Sequence, residues 1–176
     1  MNILADAGVP MIFFQLPAML CGLLPVILAE FFVARKMLIV PPTSAFKGVA
    51  VANLISTIIG FPLLWILLVV VELCVGGGGA HGLQTIWGRV YAVTVQAPWL
   101  IPYESDLKWM IPLAALYLLV PAFFVSVYLE RWIYRKFWRD EDRKNIRSFS
   151  WVAHYVSYFV LLIVASIYYG IILRRG

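Results

Sequence analysis

Residues 48–71 read GVAVANLISTIIGFPLLWILLVVV, 24 residues without one Asp, Glu, Lys or Arg. A helix needs about 20 apolar residues to cross roughly 30 Å of hydrocarbon, so this stretch predicts a transmembrane span. Three other stretches pass the same test. Val9 to Ala34 carries Glu30 alone among formal charges, Trp109 to Leu129 gives 21 uncharged residues, and Ser148 to Leu173 gives 26. The expected spans are therefore 9–34, 48–72, 109–130 and 148–173, more than half of the 176 residues. The composition agrees. Hydrophobic residues make up 63% and charged ones 13%, against about 45–50% and 25% in soluble domains. A soluble enzyme, a disulfide scaffold, a disordered chain and a nucleic-acid-binding domain are all excluded as first readings. The fold class expected is all-α membrane protein with one transmembrane domain.

Residues 73–108 form the expected outer loop. Gly76, Gly77, Gly78 and Gly79 make a poor helix in lipid and read as a turn. Leu83, Ile86, Trp87, Val90 and Tyr91 then recur at helical spacing. They predict a short interfacial helix with Trp87, Tyr91 and Trp99 at headgroup depth, a re-entrant element being the alternative. His81 reads as a loop histidine, Glu72 as a boundary marker of span two, and Glu104, Asp106 and Lys108 as the entry to span three.

Basic residues set the expected orientation. The loops 35–47 and 131–147 hold ten of the fourteen Lys and Arg, which makes both loops cytoplasmic and puts both termini outside. Arg174 and Arg175 pull the other way. Arg35, Lys36, Arg131, Trp132, Arg135, Lys136 and Trp138 are expected as lipid-interface anchors facing anionic headgroups. Asp140, Glu141 and Asp142 interrupt the second basic run, which counts against a phosphate-gripping surface. No cleavable leader is expected, because the N-terminus lacks a basic region and span one is too long. Met19-Leu20-Cys21 has Leu where a lipoprotein site needs a small residue, so Cys21 is expected as a buried thiol, and Cys74 completes no redox or metal motif.

The chain also reads as an internal duplication. Glu30-Phe-Phe-Val-Ala-Arg35-Lys36-Met37 aligns with Glu130-Arg-Trp-Ile-Tyr-Arg135-Lys136-Phe137 at an offset of 100. With one residue of slip, Val51-Ala52-Asn53-Leu54-Ile55-Ser56 aligns with Val152-Ala153-His154-Tyr155-Val156-Ser157. An offset of two spans gives two tandem hairpins of the same orientation, a parallel repeat able to close into a four-helix bundle. Glu30 lies about 7 Å inward of Arg35 and Asn53 about 9 Å inward of Lys47, from the helical rise. Glu30 should therefore meet Asn53 in one hairpin, and Glu130 should meet His154 in the other. Ser56 and Ser157 lie one turn further along, on the same faces. Polar groups within spans face protein or water. These six residues are the candidate cluster, read either as pins for each hairpin or as a proton or ion site.

Pro17 and Pro25 fall in span one, Gly60 and Pro62 in span two, Pro112 and Pro121 in span three, where prolines bend helices. Span four has no proline. Its Ala165, Ser166 and Gly170 suit close packing, and Tyr155, Tyr158, Tyr168 and Tyr169 read as an aromatic belt at its ends. Established catalytic patterns are missing. No paired histidines with Glu mark a metalloprotease, no Gly-x-Ser-Gly a serine protease, and Gly76–Gly79 lacks the Lys-Ser/Thr of a phosphate loop. Only His154 could serve a haem from within a span. His154-x-x-Ser157 lacks a third group and an oxyanion donor. No cofactor, metal or catalytic residue is expected.

The pattern of Glu ending span one, Val-Ala-Asn-x-x-Ser and Gly-Phe-Pro in span two, and Glu-Arg ending span three resembles small polytopic bacterial inner-membrane proteins. That resemblance implies a bacterial cytoplasmic membrane and brings no activity. The expected function is non-enzymatic: association as an accessory or scaffold subunit of a membrane complex, or as a homo-oligomer. The alternatives are a small transporter or channel component using Glu30, Asn53, Glu130 and His154, and more remotely an intramembrane enzyme using His154 and Ser157.

Overall fold

The computed structural model describes residues 11–76, 83–97 and 107–175. These residues are helical apart from short connections, and no strand occurs among them. The helices are α1 (Met11–Met37), α2 (Pro42–Ile55), α3 (Phe61–Gly76), α4 (Ile86–Thr94), α5 (Leu107–Phe137) and α6 (Arg143–Arg175). A π-helical turn, Ser56–Gly60, joins α2 to α3. Three segments are long and apolar enough to cross a membrane, namely Pro42–Val75, Trp109–Phe137 and Arg143–Ile171. They mark the chain as an integral membrane protein. The expected first span begins outside the described residues, and its remainder lies on α1.

The helices outrun the expected spans. Residues 38–41 alone connect α1 to α2, and residues 138–142 alone connect α5 to α6. The basic residues expected in long loops therefore sit mostly on helical extensions. At 33 residues, α6 is about 50 Å long, well beyond the hydrocarbon thickness, so its first turns, with Arg143, Lys144 and Arg147, can stand clear of lipid.

Local chemistry fixes the ends. Pro41 is extended and Pro42 occupies the first turn of α2, where a missing N–H costs nothing and φ is already helical. Asp142 immediately precedes α6, its carboxylate accepting from the Lys144 N–H at 3.0 Å. Thr85 caps α4 by accepting from the Gly88 N–H at 3.0 Å. The π turn ends two residues before Pro62. A proline has no N–H to give and its ring crowds the carbonyl four residues back, here Ile58 within the turn. A wider turn at that point relieves the conflict. By contrast α1 and α5 run unbroken through Pro25, Pro112 and Pro121.

Contacts run from α1 to α2, α2 to α5, α5 to α6 and α6 back to α1, closing a ring. Two apolar cores form, one inside this ring and one where α3 and α4 pack on α5. Beside the two short connections, Ala34, Leu38, Ala45, Val49, Ala52, Ile133, Tyr134, Trp138, Ile146, Phe149 and Ala153 pack together. At the opposite end, Leu64 and Leu68 of α3 and Met110, Ala114 and Leu118 of α5 bury Ala92 and Val93 of α4. The short expected helix is thus present as α4, with Ile86 and Trp87 about four-fifths exposed. Gly77–Gly79, His81, Trp99, Glu104 and Asp106 lie outside the described residues.

Several side chains depart from their expected places. Trp138 is not an exposed anchor: it is 4% exposed, stacked on Tyr134 at 5.0 Å and 8°, its indole N–H donating to Ser44 Oγ at 3.2 Å. Arg131 is half-buried, its guanidinium 5.2 Å from the Tyr128 ring and 5.6 Å from that of Trp151. Arg35, Lys36, Trp132, Arg135 and Lys136 are exposed, with Lys136 Nζ 3.6 Å over the Trp132 ring. Cys21 is exposed rather than buried, as is Cys74. Glu72 is buried. Nothing among the described residues lies within 4 Å of a Cβ placed on Gly170.

Candidate functional site

The six polar residues of the expected cluster all meet, and they meet in one place. Glu30 comes from α1, Asn53 from α2, Ser56 from the π turn, Glu130 from α5, and His154 and Ser157 from α6. Each is less than 8% exposed. Asn53 Nδ2 donates to Glu30 Oε2 at 2.8 Å and reaches Glu130 Oε2 at 3.4 Å. The serines cross between hairpins: Ser56 Oγ donates to Glu130 Oε1 at 2.6 Å, and Ser157 Oγ to Glu30 Oε1 at 2.9 Å. The pairs Glu30–Asn53 and Glu130–His154, expected at similar depth either as separate pins or around one axis, are joined in a single network.

A seventh residue, Tyr134, was read from the sequence only as part of the aligned repeat. It is fully buried, and its hydroxyl lies 3.1 Å from Glu30 Oε2 and 2.9 Å from Glu130 Oε2. The available signal was its spacing: Tyr134 follows Glu130 by four residues and shares its helix face. Tyr158, expected in an aromatic belt, likewise turns inward. Its hydroxyl is 3.0 Å from Ser126 Oγ, and its ring lies over that of His154 at 6.1 Å and 19°.

His154 spans the two carboxylates. Its Nδ1 is 2.8 Å from the Ser150 carbonyl and 3.8 Å from Glu30 Oε1, while Nε2 is 3.6 Å from Glu130 Oε1. A carbonyl only accepts, so Nδ1 carries the hydrogen. Nε2 is buried and makes no hydrogen bond among the described residues.

Two carboxylates bound by hydroxyl and amide donors are costly to bury unless they are balanced by a positive charge or a proton. The cluster also has a dry side and an open side. Toward the connections it is sealed by Tyr134, Trp138, Phe149 and Ile146, each 4% exposed or less. Away from them, a cavity of about 670 Å³ has Glu30, Asn53, Ser56 and Glu130 in its wall, the rest being mainly apolar side chains such as Met19, Leu23, Val26, Leu64, Leu118 and Val164. Cys21 lines it too.

No family model matches the chain, and no curated protein or solved structure matches it.

Proposed function

We propose that the protein is a small membrane transporter or channel component whose intramembrane Glu/Asn/His cluster takes a cation. One observation carries this reading: Glu30 and Glu130, 100 positions apart, converge on a single buried site that faces a cavity. Association alone, as accessory subunit or homo-oligomer, leaves that site with no task beyond pinning helices. Apolar residues of similar volume pin as well as buried ionisable groups do, or better.

The proposal includes the architecture around the site. α1, at 27 residues and about 40 Å, serves as the fourth span of a four-helix bundle. The two hairpins are copies. Supporting this, the bond from Leu38 N to Ala34 O recurs as Trp138 N to Tyr134 O, and α1 and α5 end at Met37 and Phe137. The bonds Asn53 Nδ2 to Val49 O and His154 Nδ1 to Ser150 O also correspond. A pseudo-two-fold axis then runs through the polar cluster along the membrane normal. The α4 face carrying Ile86 and Trp87 lies in the outer interface of a bacterial inner membrane, with the connections 38–41 and 138–142 cytoplasmic and both termini outside. A reporter fused at Gly176 should give a non-cytoplasmic readout; a cytoplasmic one overturns the topology.

The function is tested in proteoliposomes loaded with cation-sensitive dyes. The full chain should pass a cation at least tenfold faster than empty vesicles do. Glu30→Gln and Glu130→Gln should fold and lose that flux. Wild-type vesicles as tight as empty ones, together with Gln variants that fail to fold, would return the cluster to a pinning role.

A further inference from the structure

We infer that Glu30, Glu130 and His154 form a binding site for one divalent transition-metal ion. This rests on the reading of the cluster as a cation site and names the cation. The sequence shows no metal motif because the three ligands come from three helices. Folded, they offer one ligand atom each, all within 4.8 Å of one another.

His154 supplies the independent observation. Its Nδ1–H is committed to the Ser150 carbonyl at 2.8 Å, an arrangement typical of a metal-bound histidine, since a partner on one ring nitrogen orients the other toward the ion. The other nitrogen, Nε2, is fully buried, makes no hydrogen bond among the described residues, and lies 3.6 Å from Glu130 Oε1. That separation is too long for a hydrogen bond. For this pair it is close to the edge of a tetrahedron of ligands about 2.1 Å from a shared ion, which is about 3.4 Å, and an ion drawing in the Glu30 carboxylate would complete the set.

The remaining polar groups fit around such an ion. Ser157 and Ser56 hold the two Oε1 atoms, while Tyr134 and Asn53 hold the two Oε2 atoms. Both carboxylates are thereby oriented as ligating carboxylates need to be. Two carboxylates and a neutral imidazole around a divalent ion give zero net charge, the least costly state for a buried centre. One imidazole with two carboxylates suits zinc, cobalt or manganese. Calcium asks for six to eight oxygens, and magnesium for a near-ideal octahedron. Because Glu30 and Glu130 also line the cavity, a further ligand position is open to it.

The test uses the full chain, purified in detergent, stripped with a chelator and titrated with cobalt(II) and zinc(II). One ion per chain is expected, with cobalt visible bands characteristic of nitrogen and oxygen ligands. His154→Gln and Glu130→Gln should each weaken binding at least 100-fold. Tyr134→Phe should keep the stoichiometry and weaken binding about 10- to 100-fold. X-ray absorption of the zinc-loaded wild type guards against variants that do not fold; it should show one imidazole and at least two oxygens at about 2.0–2.2 Å. Absence of stoichiometric binding, a sulfur ligand from Cys21 or Cys74, or binding indifferent to the Gln substitutions overturns the inference. Cation flux by a protein that binds no metal overturns it too, while leaving the transport reading intact. Stoichiometric metal without flux of any cation supports the site and removes transport.

Discussion

The hairpin of α1 and α2 and the hairpin of α5 and α6 bring matching polar groups to the cluster, yet fill the core behind it in opposite ways. Where the first has Ala34, Leu38 and Gly48, the second has Tyr134, Trp138 and Phe149 at the aligned positions. The small residues make room for the large ones. A Cβ on Gly48 would sit 2.5 Å from Trp138 Cζ2 and 2.9 Å from Cε2. Tyr134 and Trp138 stack, and Phe149 packs against both at 5.1 Å and 5.8 Å. Two identical hairpins would have met with two large sets or two small ones, clashing or leaving a void. The difference between halves is therefore what closes one side of the site, and it also gives the site one tyrosine, one asparagine and one histidine instead of pairs.

The comparison can be broken most severely at Tyr134. Tyr134→Ala removes the ring that plugs the dry side and a hydroxyl shared by both carboxylates, and should cost about 3–5 kcal/mol, read as a fall in the thermal midpoint in detergent. A midpoint within a degree of wild type would mean that the aromatic seal carries no stability. Gly48→Ala comes next. Its Cβ meets an indole held by two other rings, so overpacking should cost about 1–3 kcal/mol. Adding Trp138→Phe should restore part of the loss, and a double variant no more stable than Gly48→Ala alone would place the clash elsewhere.

Exchanging the unlike members sharpens the comparison. Asn53→His and His154→Asn should each destabilise, whereas the double exchange should fall short of their sum by at least about 0.5 kcal/mol. Strict additivity would show that the two positions are not interchangeable across the site. The smallest effect is expected where the connections touch. Glu141 Oε1 accepts from the Ile39 N–H at 2.8 Å, next to a side chain that is 94% exposed. Glu141→Ala should therefore cost under about 1 kcal/mol, and a larger loss in the same melt would make this bridge a structural clamp.

Much of the site was legible because polar residues are rare in an apolar chain. Glu30, Asn53, Glu130 and His154 stood out against lipid-compatible neighbours, and helical rise put them at similar depths. Tyr134, Tyr158 and Trp138 were harder. An aromatic residue near a span end has two good environments, the headgroup layer and a packed core, and composition cannot choose between them. Trp138 follows Arg135 and Lys136, which favoured the headgroup reading; its place in the core came from the glycine opposite, 90 positions earlier.

The sequence by itself determined the solvent, the helical class, the polar groups that had to be buried and the spacing at which they recur. Those follow from hydrophobicity and from the fixed rise of a helix, which are local. Tertiary structure alone decided that two pairs become one cluster, that the serines cross over to the opposite carboxylates, and that one side is sealed while the other meets a cavity. Each of these depends on which faces of α1, α2, α5 and α6 turn toward one another, and that is settled by the fit of large side chains into small ones across the whole ring.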